Sequence, residues 1–211
     1  MSTLINDLTS QLQGDTLTQL SQQLGADETT TKRAISMALP MLVGGLARET
    51  ATPDGAQSLN KALEEDHDGS LLDNITAAFG ATKTGAADVA VPRALNGAGI
   101  LEHVLGPKKA PVQEGIGRAT GLNNQQVGRL LMMLAPLVMA YLGRRKRETG
   151  ATASDIGAQI QAERDAVTER APNLGGILGQ IFGGGAEDRP GIADDIARMA
   201  PNVLGKMFGG R

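Results

Sequence analysis

The chain has 211 residues, 41% of them apolar and 20% charged, with a net charge of −3. That length and apolar share are enough for one large or two small domains, and they exclude a disordered chain. Cys is absent, which excludes disulfides, thiol catalysis and sulfur-ligated metals; the start, Met1 to Asp7, has no basic stretch followed by an apolar run, so a cytoplasmic location is expected.

The pattern is helical from the first residues. Leu4, Ile5, Leu8 and Leu12 form one stripe, and Leu17, Leu20 and Leu24 form another after Asp15, whose carboxylate is expected to cap the second helix. Asp27 opens a long helix that runs to about Arg48. Its apolar stretch, Ala34 to Ala47, and a later one, Leu130 to Gly143, are fourteen residues each, with Pro40 and Pro136 inside them. A membrane span needs about 20 apolar residues, so both are expected to be buried core helices, bent at the proline. Gly44 and Gly45 would admit the close approach of another helix, whereas the corresponding Ala140 and Tyr141 would not. Pro53-Asp54, with Gln57 three residues on, has the spacing of a capping box, and Asn123 with Gln126 repeats it before the second long helix. Ser154-Asp155 starts an amphipathic helix carrying Ile156, Ile160 and Val167, which Ala171-Pro172 ends. No segment alternates with period two, and the expected fold is all-α.

One offset organises the chain. Gly25 pairs with Gly121, Arg33 with Arg129, Met37 with Met133, Pro40 with Pro136, Leu46 with Leu142 and Arg48 with Arg144, each 96 positions apart and without gaps. The reading is two related helical halves from an internal duplication: a first repeat over 1–97, the core of a second over 98–150, and an amphipathic helix with a Gly-rich docking tail over 151–211. Short apolar helices stopped by Gly recur at Ser70–Gly80, Gly99–Gly106, Gly176–Gly183 and Asn202–Gly209.

Ala38-Leu39-Pro40-Met41-Leu42-Val43-Gly44-Gly45-Leu46-Ala47-Arg48, Asp66-His67-Asp68-Gly69-Ser70-Leu71-Leu72-Asp73, Gly99-Ile100-Leu101-Glu102-His103-Val104-Leu105-Gly106 and Val127 to Met139 together resemble a bacterial family, domain of unknown function 937, to which YidB-like proteins are related. The resemblance runs from the first helix to about Arg147. It implies an all-helical soluble protein and carries no reaction, cofactor or catalytic residue.

Chemical motifs are sparse. Glu64, Asp66, Asp68 and Gly69 occupy positions 1, 3, 5 and 6 of a calcium-loop pattern, but its twelfth position holds Ile75 instead of a bidentate carboxylate. The reading is a solvated acidic turn. The only two histidines are His67 and His103; brought together with Asp66 or Asp68 they would form a metal site or an acid–base pair. Taken separately, His103 is expected half-buried, donating to a backbone carbonyl, and His67 on the surface with its pKa raised by the flanking aspartates. Nucleophile-elbow and phosphate-loop patterns are missing. No catalytic residue, metal ligand, cofactor or small-molecule substrate is assigned.

Charge is more informative. Residues 1–97 carry six Lys/Arg and twelve Asp/Glu, and residues 98–211 carry fourteen and eleven, so the halves stand at −6 and +3. Arg144, Arg145, Lys146 and Arg147 close the second long helix and are candidates for binding phosphate on nucleic acid or an anionic membrane. The tail supplies candidate oligomer contacts in Leu174, Ile177, Leu178, Ile181 and Phe182, and in Val203, Leu204, Met207 and Phe208. Complementary, non-identical halves and short apolar helices that need a docking surface lead to the expectation of a non-enzymatic structural or interaction protein. It would be a homo-oligomer that associates head to tail, closing into a ring or extending into a polymer. The alternative is a module that binds nucleic acid or an anionic membrane through the basic helix end.

Overall fold

A computed structural model describes residues 4–67, 69–75, 96–171 and Phe182. In chain order the helices are α1 (Leu4–Gln11), α2 (Asp15–Leu24), α3 (Glu28–Glu49) and α4 (Pro53–Glu65). A 3-10 turn follows over Ser70–Asn74, and after it come α5 (Gly97–Leu105), α6 (Lys109–Thr120), α7 (Asn124–Thr149) and α8 (Ala153–Arg170). The fold is all-α, with no strand among the described residues.

Helix starts follow capping chemistry. The Asp27 carboxylate accepts from the Thr30 N–H at 2.8 Å and so begins α3. Asn123 and Gln126 form the expected reciprocal box at the start of α7. Three other starts differ from the sequence reading. Gly14, with no side-chain cap, precedes α2, so Asp15 is the first helical residue and supports the helix dipole instead of capping it. Thr52 caps α4 by accepting from Gly55, because its hydroxyl lies one residue before the proline that fills the first turn. Thr152 and Asp155 box the start of α8. Gly25 ends α2 and Gly121 ends α6, both left-handed at φ 65° and 81°.

The two long helices form the hub. α3 packs against α1, α2, α5, α6, α7 and α8, and α7 against α1 to α6 and the 3-10 turn. Both run on as helix through Pro40 and Pro136, and nearly all of their apolar residues are buried, as an all-round apolar helix requires. α7 is the one described helix long and apolar enough to cross a membrane, and 83% of its apolar window is buried inside the fold. Helices before and after residue 97 feed one hydrophobic core. α8, after the second long helix, packs on α3 and α4.

Glycines set the closest approaches. A Cβ on Gly45 would meet the Val104 carbonyl oxygen and Cγ1 at 2.7 Å, so α5 crosses α3 at the glycine pair noted in the sequence. The corresponding position in α7 is Tyr141, whose hydroxyl donates to Asp7 at 2.7 Å. The close contact in α7 moves two residues on, to Gly143, where a Cβ would stand 1.7 Å from the carbonyl oxygen of His67.

Candidate functional site

The basic end of α7 lies under the segment that follows α4. Gly69, at φ +86°, turns the chain so closely over the helix that a Cβ there would meet Arg144 Cβ at 2.8 Å. Arg144 Nη2 donates to the Gly69 carbonyl at 2.8 Å and to Asp73 Oδ1 at 2.5 Å. Lys146 Nζ donates to Glu64 Oε1 at 2.7 Å, and this hydrogen bond, with the attraction behind it, lowers the Glu64 pKa. The Lys146 side chain is only 16% exposed. Arg145 is half-buried with its Nε unpartnered among the described residues, and Arg147 is exposed.

Arg144 and Lys146 therefore spend charge inside the chain, on groups 71 to 82 residues away. A reading along the sequence sees four adjacent cations and no acidic partner. The fold supplies the partners from α4 and the 3-10 turn.

The two histidines are placed opposite to expectation. His67 is 5% exposed, its Nδ1 has no partner among the described residues, and burial lowers its pKa against a smaller raising influence from Asp66. It is not a surface residue with a raised pKa, because Gly143 lets the backbone of the turn lie directly on α7 and carries the ring inward. The His103 side chain is 63% exposed, and its Nε2 stands 3.0 Å from Glu49 Oε1 instead of donating to a carbonyl. Among the described residues no group of three His, Asp or Glu side chains converges as a metal site would require. In the calcium-like turn Glu64 is taken by Lys146 and Ile75 is buried, while Asp68 lies outside the described residues.

A second polar cluster escaped the sequence reading. The Glu163 carboxylate is 9% exposed and accepts from the N–H groups of Leu4 and Ile5, both at 3.2 Å, so α8 caps α1 from across the chain. It borders a cavity of about 40 Å³ lined also by Leu4, Val43, Leu46, Tyr141 and Ile160, a space for water rather than a metabolite. Burial, and then Asp7, push the Tyr141 phenol well above its usual pKa. Glu163 stands three residues after Ile160 and four before Val167, on the apolar stripe of its own helix, and a charge at that register was the available signal. Glu163→Ala leaves two buried N–H groups unpaired. It should cost about 1–3 kcal/mol in urea unfolding, with Glu163→Gln losing less; no loss in either would discount the cap.

Of the candidate oligomer contacts, Phe182 is partly buried against the core of its own chain. Leu174, Ile177, Leu178, Ile181, Val203, Leu204, Met207 and Phe208 lie outside the described residues.

Neither a curated protein nor a solved structure matches the chain. Residues 6–145, from α1 to the basic end of α7, match the family described as "Bacterial protein of unknown function (DUF937)". That match takes in both long proline helices and most of the shared core, and the chain belongs to the DUF937 family.

Proposed function

We propose that the chain is a non-enzymatic structural or interaction protein that self-associates head to tail through the segment beyond α8, in the cytoplasm. The observation that carries this reading is where its apolar surface lies. Met132 is the one exposed large hydrophobic among the described residues. Beyond Ala171, by contrast, the sequence strings Leu174, Ile177, Leu178, Ile181 and Phe182, then Val203, Leu204, Met207 and Phe208, along short Gly-bounded segments. Such segments are too short to be stable helices alone and gain stability only by covering their apolar side against a folded surface. Phe182, seated on a helical core, is the kind of contact a neighbouring copy would offer to the rest. The opposite net charges of residues 1–97 and 98–211 support partner surfaces that differ, as head-to-tail contact needs.

Light scattering on the full chain across concentration and salt tests this. The expected result is a mass that rises with concentration above 21.8 kDa, falls in high salt, and returns to one chain in a Leu178→Asp, Leu204→Asp variant. A mass fixed at one chain throughout refutes it. The basic helix end ranks second as a binding surface for nucleic acid or an anionic membrane, because Arg144 and Lys146 would first have to leave Asp73 and Glu64.

A further inference from the structure

We propose that the described stretches 63–67 and 69–74 act as a strap over the basic end of α7, and that it lifts from the helix when His67 takes up a proton. The strap is held at three kinds of point. Glu64 and Asp73 pair with Lys146 and Arg144, the Gly69 carbonyl accepts from Arg144, and the His67 carbonyl lies on Gly143, where even a methyl group would not fit. Between those points the His67 ring is buried, with Nδ1 unpartnered among the described residues. A neutral imidazole tolerates that seat. An imidazolium would carry an uncompensated N–H and a full charge into it, and would regain water only by leaving.

Among the described residues, the charged groups at this end of the elements that meet here are Asp66 beside the ring, Glu64 and Glu65 on α4, Asp73 on the 3-10 turn, and Arg144, Arg145, Lys146, Arg147 and Glu148 on α7. Asp66 favours the proton, whereas Glu64 and Asp73 are paired with Lys146 and Arg144. Burial dominates, so the seated ring has a pKa below its ordinary 6.5. The direction follows from that sign. Above about pH 6.5 the ring is neutral in both seated and lifted states and the strap is fully held. As the pH falls from there toward the seated pKa, the lifted state binds the extra proton and is favoured, until both states are protonated.

Strapped, α7 presents its basic end as two internal ion pairs. Lifted, it presents Arg144 and Lys146 to solvent. The device thus changes the charge displayed at one end of the fold, and lifting withdraws Leu72 from the edge of the core.

Amide hydrogen exchange on the full chain from pH 7.5 to 5.0, corrected for intrinsic rates, reads the strap directly. The expected result is that protection of the described residues 66–67 and 69–75 falls below the ordinary His value, by at most about tenfold per pH unit and only until the seated ring is itself protonated, while α3 and the centre of α7 stay protected. His67→Leu should hold the strap at both extremes. His103→Gln should leave the response intact, since that histidine is exposed on α5. Asp73→Asn, which weakens one tether, should move the transition to higher pH. If His67→Leu does not fold, the imidazole titration of the wild-type chain, followed by NMR, must coincide with the loss of protection. A strap equally protected at both pH values, a response that survives in His67→Leu, or a transition that does not track the His67 resonance would overturn the proposal.

Discussion

Replacing Gly143 by Ala will destabilise the folded chain by about 3 kcal/mol or more, at or beyond the upper end of what overpacking costs. The new Cβ would stand 1.7 Å from the His67 carbonyl oxygen and 2.9 Å from its carbon. These are backbone atoms, and no rotamer change relieves them. The turn must move off α7 or the helix must shift within a core that is packed on its other sides. The turn is the cheaper element to move, so the loss should be accompanied by exposure of His67 and separation of Arg144 from Gly69 and Asp73. Gly150→Ala is the control. That glycine ends α7 at φ +66° with nothing within 4 Å of a Cβ, so the substitution carries only left-handed strain of about 1–2 kcal/mol. Urea midpoints decide between them, and equal losses at the two positions would mean that the strap does not lie on the helix as described.

Helices were legible in the sequence because their signals are local. The stripe of Leu4, Ile5, Leu8 and Leu12, the Asn123–Gln126 box and the fourteen-residue apolar runs each identify an element from a few neighbours, and the structure buries or caps them accordingly. The glycine pair at Gly44 and Gly45 marked the α5 crossing for the same reason, since a missing side chain is visible without knowing the partner. Cap assignments at Asp15 and Asp54 failed by one and two residues, where the caps fell on Gly14 and Thr52. What stayed hidden was long-range. Asp66-His67-Asp68 looks solvated in one dimension, and only Gly143, some 76 positions away, turns the histidine inward. Arg144 to Arg147 read as a free cationic run because Glu64 and Asp73 belong to a different part of the pattern. Glu163 is the intermediate case, a charge on an apolar stripe whose register was readable and whose partner, the first turn of α1, was not.

Ending the chain at Gly150 should abolish cooperative folding, whereas ending it at Ala171 should not. The sequence made residues 151–211 look like an appendage to two repeats. The fold makes α8 a wall of the core. Ile156, Ile160 and Val167 are each no more than 6% exposed and face α3 and α4, and Glu163 closes the N-terminus of α1. Burying one such aliphatic side chain is worth about 1.5–3 kcal/mol, so the three together account for roughly 4–9 kcal/mol before the cap is counted. A domain has only about 5–15 kcal/mol of net stability to lose. Removing α8 also uncovers the apolar faces of α3 and α4, which turns the deficit into aggregation and would raise the apparent mass for a reason unrelated to head-to-tail assembly. Far-UV circular dichroism through a urea series on the two shortened chains separates these outcomes. A sigmoidal transition in the chain ending at Gly150, with a midpoint near that of the full chain, would mean that α8 is peripheral and that the core closes without it. Its absence there and its retention in the chain ending at Ala171 would confine the tail's contribution to whatever the segment beyond α8 binds.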